Sequence, residues 1–170
     1  MATPPKIPGM GAFVDKNPGG SRPVAPAQVV AAARLMVAAA VVQLFASILA
    51  IVYAASPDRL TAIQAQVDAM SGNVPSVESM RNMGVITVVV AGLATVCAYL
   101  LFAFFMNKGR SWARVAAGVL VALTLVQLVG ISFPVGWTTV AQLGLGGLAV
   151  ALCYLPQSNN YFAAVKAAGK

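Results

Sequence analysis

The sequence predicts an all-α fold: a four-transmembrane-helix bundle with both termini in the cytoplasm, a disordered Pro/Gly-rich leader, and a short extracytoplasmic amphipathic helix between spans 1 and 2. Three observations carry this expectation. The chain is 59% hydrophobic and 9% charged with a mean hydropathy of +0.83, far from the balance of a soluble domain. Four apolar stretches, at about 28–55, 84–106, 115–133 and 138–155, alternate with charged or turn-forming segments, and the last three contain no Asp, Glu, Lys or Arg. At ~1.5 Å per residue each is about long enough to cross a hydrocarbon core of ~30 Å. The third observation is the placement of charge. With the amino terminus inside, Lys6, Lys16, Arg22, Arg34, Lys108, Arg110, Arg114, Lys166 and Lys170 share the cytoplasmic side with only Asp15, whereas Arg59 and Arg81 face Asp58, Asp68 and Glu78 outside. Lys and Arg collect on the cytoplasmic side of inserted chains, so this partition places both termini there. The net charge of +7 is then explained by topology and contact with anionic lipid rather than by nucleic acid.

Residues 1–27 hold six of the ten prolines and four glycines, with little to bury, so they are expected to stay disordered or to lie extended on a partner. Span 1 begins after this polar stretch and is too long for the apolar region of a cleaved signal, so it is expected to remain as an anchor. Arg34 lies close enough to the inner boundary for its stem to snorkel. The outer loop, 56–83, opens with Ser56-Pro57, a cap followed by proline at the first helical position. Leu60, Ile63, Val67 and Met70 then recur at helical spacing opposite Gln64, Gln66 and Asp68, which predicts an amphipathic helix of roughly 15 residues ending at Ser71-Gly72-Asn73. Its polar face lacks the excess of Lys and Arg that holds interfacial helices on lipid, so the stripe is read as a partner-binding surface.

Pro75-Ser76 followed by Glu78 is a second start signal, bringing span 2 into the membrane near Gly84. It leaves through an aromatic-rich end, Leu100 to Met106, into the short basic turn Asn107 to Arg114. Span 3 runs from there to Phe133, and Pro134 to Trp137 closes a tight outer hairpin. Span 4 ends at Pro156. The residues that follow, Gln157 to Lys166, can form an interfacial helix anchored by Tyr161 and Phe162, leaving 166–170 as a cytoplasmic tail. A faint internal repeat relates Ala91-Gly-Leu-Ala94 and Tyr99-Leu100 to Gly146-Gly-Leu-Ala149 and Tyr154-Leu155.

Chemistry-bearing groups are scarce. The chain has no histidine, and Cys97 and Cys153 sit in separate spans at different depths, so neither a metal centre, a haem site nor a disulfide is expected, and no cofactor. No carboxylate lies inside a span, which disfavours a proton-coupled transporter. Gln43, Gln127 and Gln142 are the strongly polar residues within the spans, and such amides more often tie helices together than line a solute path. A nucleophile with its base, a phosphate loop and a metalloprotease motif are all missing, so catalysis is not expected. Arg34, Lys108, Arg110 and Arg114 form the inner-interface set for anionic lipid.

Two segments, Gly109-Arg-Ser-Trp-Ala-Arg114 before span 3 and Leu155-Pro-Gln-Ser-Asn-Asn-Tyr-Phe162 after span 4, resemble those of small four-span membrane proteins of actinobacteria. The likeness covers about residues 28–165. Within that group the leader also resembles cofactor-free accessory subunits of the actinobacterial cytochrome bcc–aa3 respiratory supercomplex. The resemblance implies a non-catalytic subunit packing against other integral membrane proteins, with cytochrome subunits as the expected partners. Two other readings stay open: an oligomeric channel or transporter for a small solute using the three glutamines, and a cell-envelope or lipid-handling partner protein.

Overall fold

The computed structural model describes residues 23–72, 74–129 and 136–168, the side chains of 127–129 excepted. Most of the predicted leader, the side chain of Gln127 and the outer end of the predicted third span therefore lie outside the described residues. Six helices make up the rest: α1 (Ala27–Ala54), α2 (Pro57–Asp68), α3 (Val77–Asn107), α4 (Ser111–Val129), α5 (Gly136–Cys153) and α6 (Pro156–Ala168), and the described residues contain no strand. Three of them, α1, α3 and α5, are long and apolar enough to cross a membrane, whereas the described apolar run of α4, Ser111–Val126, is shorter. At ~1.5 Å per residue, α1 and α3 are about 42 and 46 Å long, while α5 is about 27 Å.

The start signals read from the sequence operate as caps. Ser56 Oγ accepts the Arg59 N–H ahead of Pro57, and Ser76 Oγ accepts the Ser79 N–H with Glu78 in the first turn. Each cap satisfies one of the donors that a helix start leaves without an intrahelical partner. The amphipathic helix is shorter than its apolar spacing predicts. It stops at Asp68, so Met70 falls beyond its end, and Gly72 turns the chain with φ +100°.

The four longer helices pack in a ring in which α1 touches α3 and α5, and α4 closes the circuit between them. Burial is concentrated at one end of that ring. Val29, Ala32, Met36 and Ala39 of α1 meet Tyr99, Ala103 and Met106 of α3, Ala113 and Ala117 of α4, and Ala149 and Cys153 of α5. These positions recur every three or four residues, so each helix turns one stripe inward. Small residues set the spacing: a Cβ on Gly146 would come within 2.8 Å of Val121 on α4.

Toward the opposite, distal end α5 still buries Thr138, Thr139 and Gln142, while α1 and α3 open outward. There α1 and α3 meet where Gly92 accommodates Ser47, and a Cβ on Gly92 would collide with the Ser47 hydroxyl. Beside this contact Val41, Leu44, Ile48 and Val52 of α1 and Met83, Ile86, Val90 and Leu93 of α3 are exposed. So much open apolar surface is untenable in water and is what a chain surrounded by hydrocarbon presents. The protein is all-helical with helices suited to a membrane.

The segments matched by the internal repeat face different surroundings: Tyr99 is fully buried whereas its counterpart Tyr154 is 49% exposed.

Candidate functional site

The turn between α3 and α4 is set by backbone chemistry. Gly109 adopts φ +73°, its N–H donates to Met106 O, and the Arg110 N–H donates to Phe105 O. This pair of bonds is the Schellman closure, which uses up carbonyls that a helix end leaves open and needs a residue without a Cβ at the left-handed position. A Cβ there would also come 2.6 Å from Val165 Cγ2 and 3.1 Å from Tyr161 Cε1, because α6 lies directly over the turn.

At the start of α6, Pro156 takes the first helical position and the next polar side chains fold back onto α5. Ser158 Oγ donates to Leu152 O at 2.7 Å, and Asn159 Nδ2 donates to Tyr154 O at 3.0 Å. Tyr161 and Phe162 then enter the core rather than an interface with lipid. The Tyr161 hydroxyl donates to Asn107 O at 2.9 Å, and its burial raises its pKa above the ordinary tyrosine value.

Arg114, on the first turn of α4, completes the contact. Its Nη1 donates to Asn159 Oδ1 at 2.5 Å, and its guanidinium lies 5.1 Å from the Tyr154 ring centroid and 5.2 Å from that of Phe162. A cation held by one amide and two rings retains attraction without a carboxylate partner. The two segments 109–114 and 155–162 are thus one latch. The Gln28 amide at the start of α1 also reaches it, 3.4 Å from Ser158 Oγ.

The other basic residues of the set lie elsewhere at this end. Arg110 is exposed. Lys108 Nζ sits 4.2 Å above the Phe104 ring, and Arg34 is exposed on α1. Between α1 and α3 runs a groove of about 530 Å³ lined by Val30, Ala33, Arg34, Val37, Leu100, Ala103, Phe104 and Asn107. On the far side of α3, Phe105 and Phe102 pack against Trp112 at 5.1 and 6.1 Å, so the inner aromatic residues tie α3 to α4.

The remaining sequence-derived residues divide. Gln43 is half-buried, its Nε2 donating to Ser47 Oγ at 3.2 Å within α1, beside Gly92 of α3. Gln142 is 5% exposed on the inward stripe of α5. Ile63 is 3% exposed and Leu60 and Val67 are half-buried, with α2 lying on α3 and α1, so the chain itself covers these three. Met70 remains open. The polar face of α2 closes on itself through Gln64 Nε2 donating to Asp68 Oδ1 at 2.7 Å.

Among the described residues no group of His, Cys, Asp or Glu could hold a metal ion, and Cys97 and Cys153 are both unpaired thiols. No protein-family model matches the chain, and neither a curated protein nor a solved structure matches it.

Proposed function

We propose that the protein is a non-catalytic accessory subunit that packs laterally in a larger inner-membrane complex, with a respiratory cytochrome supercomplex as the complex it serves. The observation that carries this reading is the division of labour along the bundle. Polar and charged contacts at the core end are spent on the latch, while the distal halves of α1 and α3 turn large apolar side chains outward on both sides of the close contact at Gly92 and Ser47. Such a surface can take neighbouring helices without donating any chemistry to them. Gln43 bonded to Ser47 within α1 and Gln142 buried on α5 favour structural roles over a solute path.

In this reading the four longer helices all span the membrane and both termini face the cytoplasm, so the latch, with Arg34, Lys108, Arg110 and Arg114, forms an inner collar suited to anionic lipid. Single cysteines at Ser71 and Lys166, in a background lacking Cys97 and Cys153, test the orientation: an impermeant thiol reagent added to intact cells labels only the first. Labelling confined to the second reverses it.

The functional test is a mild-detergent purification of tagged protein from its native membrane, followed by mass spectrometry and a visible absorption spectrum. Cytochrome subunits recovered in constant ratio support the accessory role. Recovery of a homo-oligomer without haem absorbance refutes it and favours the channel or transporter.

A further inference from the structure

We infer that the groove between α1 and α3 is a binding site for one anionic phospholipid, its phosphate held by Arg34 and Lys108 and one acyl chain lying along the apolar wall. The inference deepens the lipid collar proposed above to one site. It rests on the chain being a membrane protein and not on its being an accessory subunit.

The groove has two chemistries in the right order. Its wall is built by Val30, Ala33 and Val37 of α1 and by Leu100, Ala103 and Phe104 of α3, and Asn107 lies at the end of α3. From Val30 to Val37 the wall runs about 10 Å along α1 at ~1.5 Å per residue, the upper part of an acyl chain. Its volume of about 530 Å³ falls within the ~300–1,000 Å³ typical of small-ligand sites.

Arg34 lies within this wall, and side chains of a helix lean toward its amino terminus. That direction carries the guanidinium toward the end of the groove where α3 finishes. Lys108 stands there, its ammonium 4.2 Å above the ring of Phe104, which is itself a wall residue. Arg34 lines the groove and Lys108 stands against its wall residue Phe104, and among the described residues neither forms an ion pair. Asp58, Asp68 and Glu78 all belong to α2 and the start of α3, at the distal end. A phosphodiester supplies the missing negative charge, its chain covers the wall, and the Asn107 amide is placed to donate to headgroup or ester oxygens. Zwitterionic lipid offers the same chain without the net charge.

Native mass spectrometry of the full-length protein in detergent, titrated with phosphatidylglycerol and phosphatidylcholine of matched chains, tests the site. Two cations near one phosphate predict about a thirtyfold preference for the anionic lipid at a single site. The double variant Arg34→Gln/Lys108→Gln brings binding down to the phosphatidylcholine level, whereas Arg59→Gln, an exposed cation of α2 at the distal end, leaves it unchanged. Val37→Trp, on an exposed wall residue, reduces binding independently of charge by filling the groove.

Equal affinity for the two lipids overturns the proposal. So does an Arg59→Gln effect as large as that of the double variant, or an unaltered affinity in Val37→Trp. Displacement by glycerol phosphate at equal concentration would show a site for the free anion and overturn the lipid assignment. Protein that stays dispersed after detergent removal would instead refute the membrane reading, a result distinct from any change in lipid preference.

Discussion

Replacing Gly109 by Ala perturbs the latch at its narrowest point. Two costs arise there. At φ +73° an alanine occupies the left-handed region, worth about 1–2 kcal/mol. Its Cβ also falls 2.6 Å from Val165 Cγ2 and 3.0 Å from Val165 Cβ. Valine has little freedom at χ1, so α6 must shift as a body, and overpacking of this kind costs about 1–3 kcal/mol. The sum is about 2–5 kcal/mol, which in a chain of this size lowers the unfolding temperature by roughly 2–4 °C for each kcal/mol. Trimming Val165 to Ala removes the collision and leaves the backbone strain. The double variant Gly109→Ala/Val165→Ala is therefore more stable than the two single effects added together, by about 1 kcal/mol or more. Circular dichroism melting in detergent measures the four proteins, and trypsin cleavage after Lys166 reports detachment of α6. Wild-type melting of Gly109→Ala, or strict additivity of the pair, refutes the reasoning.

Other changes have directions set by the same structure. Gly92→Ala drives a Cβ into Ser47 and lowers the melting temperature by the equivalent of about 1–3 kcal/mol, while Ser47→Ala in the same chain restores part of it. Tyr99→Phe removes a buried hydroxyl that makes no hydrogen bond of good geometry although it lies beside the Thr124 side chain, so it raises stability by up to about 1 kcal/mol on melting; a loss would show that the hydroxyl bonds Thr124. The latch weakens in alkali: Tyr161 holds its proton more tightly folded than unfolded, so its contribution is complete below the ordinary tyrosine value near 10 and is lost as pH rises above it. Fluorescence-detected melting from pH 8 to 11 follows this, and Tyr161→Phe flattens the alkaline part of the curve.

Apolar length and capping residues are local properties, which is why helix type, the two serine caps and the inward periodicity were legible from the chain. The helix expected to carry span 3 from residue 115 starts at Ser111, and Arg114 is accommodated inside it by Asn159 and two rings from a segment far along the chain, contacts that no local pattern announces. Interfacial anchoring by Tyr161 and Phe162 was the local reading of an amphipathic tail, and only the folded arrangement shows both side chains entering the core. Ile63 behaves similarly: its stripe predicts a contact, and the contact is with its own bundle. The Gly109 closure left a readable signal, a glycine shortly after the apolar run that ends at Met106 and just ahead of a new helix, whereas the groove between Arg34 and Phe104 joins residues that no periodicity relates.

The latch also sets an order on folding. Although α6 follows the other described helices in the chain, it braces the beginning of α1, the end of α3 and the first turn of α4. The earlier helices can therefore form and pair while their common end is still open, and closure waits for α6. Until then Ala113, Ala117 and Cys153 lie behind an unfinished seal.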